Sequence, residues 1–176
     1  MNEDSFNPPS RQETDEVKEE RMMQRTIQKA AVIGAGVMGA AIAAHLANVG
    51  IRTLLLDVVP PSLTDEEAAR GLTLDEAAVR NRFALRGLEN AKKNMAFYDN
   101  DFSRYITVGN TTDDLEKLAD VDWIIEAVVE NLEIKRQLFA KIESVWRPGT
   151  IVSTNTSGVS IHQMTEGRSD EFKRHF

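Results

Sequence analysis

From Lys29 onward the chain alternates short, wholly apolar runs with longer stretches whose apolar positions recur at helical spacing. Lys29-Ala30-Ala31-Val32-Ile33 ends at Gly34 and has the continuous apolar character of a strand buried on both faces. Val37 to Val49 is rich in alanine, places Met38, Ile42 and Leu46 along one helical stripe, and stops at Gly50. Arg52 to Asp57 is a second buried strand, ended by Pro60-Pro61. Strand, helix and strand within roughly thirty residues make one βαβ unit.

The alternation continues. Ser62 to Asn100 reads as helical in two pieces parted by Gly71, because Thr64 with Glu67 and Thr73 with Glu76 each fit a capping box. Tyr105 to Val108 is a short strand, Asp113 to Leu118 a turn or two of helix, and Trp123 to Val129 a further strand. Asn131 to Trp146 is a helix with Leu132, Leu138, Phe139 and Ile142 along one face and Pro148-Gly149 as its stop. Ile151 to Ser153 is a last short strand. Strands separated by helices need parallel crossovers, so the pattern predicts an α/β fold with a doubly wound, mostly parallel sheet.

Composition narrows the function classes. A chain of 176 residues that is 41% hydrophobic can fill a core. It has no cysteine, which excludes a disulfide framework, a Cys-ligated zinc site and a thiol nucleophile, and no metal site is expected. The net charge of −7 disfavours a nucleic-acid partner. The longest apolar stretches, Ala30 to Met38 and Ile124 to Val129, are far shorter than the ~20 residues of a membrane span, so a cytoplasmic protein is expected. Residues 1–25 hold seven acidic groups against four basic ones, with Pro8-Pro9 and almost nothing apolar before Val17. That composition predicts a disordered acidic tail before a domain over 29–176, without the pattern of a transit or secretory leader.

Gly34-Ala35-Gly36-Val37-Met38-Gly39 spells G-x-G-x-x-G, and its context gives it meaning. A strand ends just before it, a helix starts inside it, and an acid, Asp57, closes the next strand 18 residues after Gly39. Gly34 permits the tight turn, Gly36 lets the backbone approach a diphosphate, and Gly39 lets helix and strand pack closely. The free N–H groups at the helix start, at Val37 and Met38, then hold the diphosphate. Asp57 suits two ribose hydroxyls and repels a 2′-phosphate, and no Arg or Lys follows it in Val58-Val59-Pro60. The expected fold is of the Rossmann type, and the expected cofactor is NAD in preference to NADP.

Two further elements, Glu126-Ala127-Val128-Val129-Glu130-Asn131-Leu132 through Lys135 and Ser153-Thr154-Asn155-Thr156-Ser157, go beyond a dinucleotide site. Together with Gly34 to Gly39 and Asp57 they resemble the NAD-binding domain of the 3-hydroxyacyl-CoA dehydrogenases of fatty-acid β-oxidation. The E-A-x-x-E-N-L-x-x-K element keeps the family's order and spacing, and the family's S-N-T-S reads S-T-N-T-S here. The resemblance implies that Ala127, Glu130 and Lys135 lie near the nicotinamide and its ribose, and Asn155 at the nicotinamide edge. It implies that Ser157 touches both the cofactor and the substrate's 3-hydroxyl or keto oxygen. The residues also have plainer readings: Glu130 as an acid at a helix start, Lys135 on a solvated helix face, Asn155 and Ser157 as loop residues bonding their own backbone. Lys92 and Lys93 match the family's use of lysine near a CoA phosphate only loosely and read better as a solvated charge pair.

The family's reaction oxidises (S)-3-hydroxyacyl-CoA to 3-ketoacyl-CoA with NAD and needs a general base for the hydroxyl proton. The resemblance puts that base on a histidine in an H-F-F-N-P element. His175 falls a few residues before it, and His45 and His162 read as structural. Phe6-Asn7-Pro8-Pro9 echoes the element without its histidine. The chain therefore reads as the front portion of a longer dehydrogenase with an acyl-CoA substrate, homodimeric when whole. Two alternatives stand beside it: a non-catalytic NAD(H)-binding module, and another β-hydroxyacid dehydrogenase, since those share G-x-G-x-M-G. Pro60 to Arg104 exceeds a minimal connection, and its residues assign it no function.

Overall fold

A computed structural model describes residues 26–176. The expected acidic tail, 1–25, lies outside the described residues. The chain runs β1 (Lys29–Ile33), α1 (Val37–Asn48), β2 (Arg52–Asp57), α2 (Asp65–Ala69), α3 (Ala77–Arg80), α4 (Arg82–Lys93), β3 (Ile106–Asn110) and β4 (Trp123–Glu126). It ends with α5 (Leu132–Val145), β5 (Ile151–Thr154), α6 (Ile161–Met164) and α7 (Asp170–Arg174). Single 3-10 segments over Asn100–Tyr105 and Leu115–Asp120 precede β3 and β4. The strands form one sheet in the order β3-β2-β1-β4-β5, and every pairing is parallel.

Successive side chains of a strand point to opposite faces, and each face of this sheet has its own core. Ala30, Val32, Leu55 and Ile125 face α1 and α4 through Ala40, Ala43, Ala44, Ala47, Ala84 and Ala91. Ala31, Ile33, Leu54, Leu56, Ile124 and Val152 face α5 and α7 through Leu138, Phe139, Ile142 and Phe172. The alanines bring α1 close to the sheet, while the aromatic face is thicker: Phe139, Trp146, Phe172 and Phe176 meet ring to ring at 4.9 to 6.4 Å. Because the chain leaves β1 for one face and β4 for the other, a crevice opens at the carboxyl ends of these two neighbours.

The elements depart from the sequence reading at three places. The stretch after Pro61 makes three helices instead of two. Thr64 and Glu67 complete the capping box of α2, whereas Thr73 accepts no side-chain cap bond and α3 starts after Glu76. The strand expected over Trp123 to Val129 stops at Glu126. There the carboxylate of Glu126 takes the Val128 N–H and turns the backbone out of the ladder. Finally, β3 runs on to Asn110, whose buried amide ties the end of the strand to α3 and α4. It donates to Asn81 and to Asp113, 2.7 and 2.8 Å away, and Arg80 grips Asp113 with two bonds of 2.6 Å. The Arg80 bonds, then that of Asn110, pull the Asp113 carboxyl down to about 2.

Candidate functional site

The Gly34–Gly39 turn occupies the crevice, and steric facts fix its glycines. Gly34 has φ +103°, and a Cβ there would meet the Ala127 carbonyl oxygen at 2.6 Å. At Gly39 a Cβ would fall 1.8 Å from the Gly34 carbonyl oxygen, so the helix packs on the turn with no room for a side chain. Gly36 is the opposite case: nothing lies within 4 Å of its absent Cβ. The backbone there faces open space at the start of α1, which carries no side-chain cap and no acid in its first turn. Free N–H groups and the positive end of the helix thus point into an open cradle. Val37 and Met38 beside it are exposed.

Asp57, at the end of β2, is held by backbone. Its Oδ2 accepts from the Ala35 N–H at 2.6 Å and its Oδ1 from the Val58 N–H at 2.7 Å. The carboxylate is half-buried and lies between two hollows. One, of about 600 Å³, runs between α1 and α4 and is lined by Gly36, Ala40, Phe83, Arg86 and Asn90 among others. The other, of about 190 Å³, opens toward α5 past Thr111, Val128, Ile134 and Leu138. Gly87 lets α4 reach the turn, since a Cβ there would sit 2.3 Å from the Ala35 carbonyl oxygen. Sequence reasoning passed over Gly87; a lone glycine inside the apolar face of α4 is its only signal.

The other half of the crevice belongs to β4 and β5. Ala127 leaves β4 with its N–H on the Ile33 carbonyl at 2.8 Å and packs toward Gly39. Glu130 is exposed, with its carboxylate against Gly158 in the loop after β5. Asn155 and Ser157 stand exposed on that loop, and the Asn155 N–H donates to the Glu126 carbonyl at 2.8 Å. Ala127, Glu130, Asn155 and Ser157 are therefore gathered at one end of the crevice.

Lys135 is not where the sequence reading put it. It is fully buried, and its Nζ is bonded to Glu126 Oε1 at 2.6 Å and to the Val128 carbonyl at 3.3 Å. Facing inward from α5, the ammonium meets a carboxylate instead of the crevice. Glu126 opens the E-A-x-x-E-N-L-x-x-K element, but the sequence reading gave it no role. The available signal was an acid ending an apolar strand, with a lysine nine residues on along an otherwise apolar helix face.

The histidines stand apart from the crevice. His45 is exposed in the last turn of α1 and His162 is exposed on α6. His175 is half-buried, edge-on to Trp146 at 5.2 Å, with its carbonyl accepting from the Val152 N–H. Lys92 pairs with Glu89 at 2.9 Å and Lys93 is exposed, as a solvated pair would be. Among the described residues no helix is long and apolar enough to cross a membrane.

Comparison with known proteins places this geometry. The family model described as the NAD binding domain of 3-hydroxyacyl-CoA dehydrogenase matches residues 29–176. A probable 3-hydroxyacyl-CoA dehydrogenase of Bacillus subtilis is 52% identical over 156 residues, which are 88% of this chain and 20% of that protein. A second, from Deinococcus radiodurans, is 51% identical over 85% of this chain and 40% of its own length. The crystal structure of 3-hydroxybutyryl-CoA dehydrogenase from Escherichia coli superposes with a TM-score of 0.55 at 32% identity, over 85% of this chain and 29% of that one. The chain thus spans a fifth to two fifths of the length of these curated relatives. It belongs to the 3-hydroxyacyl-CoA dehydrogenase family and comprises its NAD-binding domain.

Proposed function

We propose that this domain holds NAD for the oxidation of (S)-3-hydroxyacyl-CoA to 3-ketoacyl-CoA in fatty-acid β-oxidation. The observation that carries the reading is the pairing of an open backbone cradle at Gly36 with a carboxylate, Asp57, locked beside it by the Ala35 and Val58 N–H groups. A Cβ-free approach to α1 suits a diphosphate, and a fixed carboxylate suits two vicinal hydroxyls.

In this reading the N–H groups at Gly36, Val37 and Met38 hold the diphosphate, with Gly34 and Gly39 shaping the turn. Asp57 accepts from the adenosine ribose and repels a 2′-phosphate. The dinucleotide then crosses the switch point, so its other half lies over Ala127, Glu130, Asn155 and Ser157. When bound, the nicotinamide supplies a hydride acceptor. Ser157 donates to the keto oxygen or accepts from the alcohol of the substrate. The domain binds and orients. The proton of the alcohol goes to a group that the three histidines of this chain do not provide.

The test is a fluorescence titration with NADH and NADPH. NADH is expected to bind at least tenfold more tightly, and Asp57→Ala to abolish the difference. Equal affinities for the two in the unaltered chain would overturn the reading. The placement of the histidines favours one alternative, an NAD(H)-binding module without turnover. Reduction of acetoacetyl-CoA by the purified chain would exclude that alternative.

A further inference from the structure

Glu126 and Lys135 are both without exposed side-chain surface, yet they are not an isolated pair buried in the core. Glu126 ends β4, Lys135 sits one turn into α5, and the loop between them, 127–131, is the one that carries Ala127 and Glu130. Glu126 Oε1 accepts from Lys135 Nζ and from the Val128 N–H, each at 2.6 Å. Glu126 Oε2 accepts from the Thr154 hydroxyl at the end of β5. That hydroxyl accepts in turn from the Thr156 N–H at 3.1 Å, inside the loop that carries Asn155 and Ser157. Lys135 reaches back to the Val128 carbonyl. One carboxylate therefore binds the backbone of the β4 loop directly and that of the β5 loop through one hydroxyl.

We infer that Glu126, Lys135 and Thr154 are positioning residues for the nicotinamide end of the cofactor. They set the relative placement of the 127–131 and 155–157 loops. The inference rests on the proposed orientation of the dinucleotide, with adenosine at Asp57. A core that needed only to be filled would be served by apolar residues, and burial of a charged pair is costly relative to them. The compensation here is directional: every oxygen of the carboxylate is spent on a loop or on the lysine that orients it. By contrast Asp57 and the Gly34–Gly39 turn receive no bond from the network. The adenosine end is thus predicted to be indifferent to it.

The experiment compares NADH with ADP, which lacks the nicotinamide and its ribose, on the full chain. In the double variant Glu126→Gln/Lys135→Met the core stays filled and no charge is left unpaired. It is expected to melt cooperatively, to bind ADP within twofold of the unaltered chain, and to lose roughly tenfold in NADH affinity, the worth of one or two hydrogen bonds. Thr154→Val cuts only the link to the β5 loop and is expected to lose about threefold for NADH and nothing for ADP; it serves alone if the double variant does not fold. Unchanged NADH binding in a folded variant overturns the inference, and so does an equal loss for ADP and NADH. If the unaltered chain binds neither ligand, the proposed cofactor site itself fails and the inference falls with it. If it binds ADP as tightly as NADH, only the nicotinamide half fails.

Discussion

The two ends of the crevice are built by different means. At the β1–β2 end the contacts are made by backbone, and the sequence contributes chiefly the absence of side chains, at Gly34, Gly36, Gly39 and, on α4, Gly87. Its carboxylate, Asp57, is held by two N–H groups, one from Ala35 in the turn and one from the next residue, Val58. At the β4–β5 end the shape is held by one buried carboxylate, on which the Lys135 and Thr154 side chains and the Val128 N–H converge. A backbone-built half is intolerant of added atoms, and a network-built half is intolerant of lost ones.

That contrast is most sharply tested by Lys135→Met alone. It strands the Glu126 carboxylate, which has no exposed side-chain surface, without its cation, and a destabilisation of about 3–5 kcal/mol is expected, read by urea unfolding. If the melt of this single variant matches that of the double variant with Glu126→Gln, the pair carries no such cost. Next comes the opposite operation, addition. Gly39→Ala drives a methyl into the Gly34 carbonyl and is expected to cost about 3 kcal/mol or more, lowering Tm by roughly 10 °C. Gly36→Ala has open space before it and is expected to leave Tm within about 2 °C while weakening NADH binding. Equal melting of these two alanine variants would contradict the division of labour among the glycines.

Asp57→Ala acts on affinity more than on the fold. A loss of roughly 10- to 100-fold for NADH is expected from two charge-assisted hydrogen bonds, with little loss for NADPH. The smallest effect lies outside both ends, at the knot of Arg80, Asn110 and Asp113. The Asp113 carboxyl titrates at about 2, below its ordinary range, because of the bonds from Arg80 and Asn110. Its contribution to stability is therefore complete above pH ~4 and fades as pH falls toward 2. Because the pair is solvent-exposed, Asp113→Asn is expected to lower Tm at pH 7 by about a degree or two. The difference should vanish near pH 2, and a gap that persists there would assign the effect to something other than ionisation.

The comparison also explains what the sequence disclosed. The β1–β2 end was legible because everything it needs is local: a five-residue, mostly apolar strand, three glycines and an acid inside thirty positions. The doubly wound, mostly parallel architecture followed from the alternation alone. The β4–β5 end was legible only by position. Glu130, Asn155 and Ser157 stand exposed at one end of the crevice, but the burial of Lys135 depends on an acid nine residues earlier and on a threonine from another strand. Periodicity could not supply that pairing, since a lysine at a helical position reads equally as solvated. The second capping signal, Thr73 with Glu76, misled for a similar reason: a two-residue motif does not reveal whether the following turn has a surface to pack against.

The order of strands gives the two halves different histories within one chain. β1 meets β2 between residues 23 positions apart, Lys29 and Arg52, whereas it meets β4 between residues 93 apart, Ala30 and Trp123. Closing the longer loop costs more entropy before any contact rewards it. Pairing along β1 thus favours assembly of the adenosine end first, with the nicotinamide end waiting on the arrival of distant sequence. During synthesis the same asymmetry becomes one of time, because β1 and β2 emerge together well before β4 exists to complete the crevice.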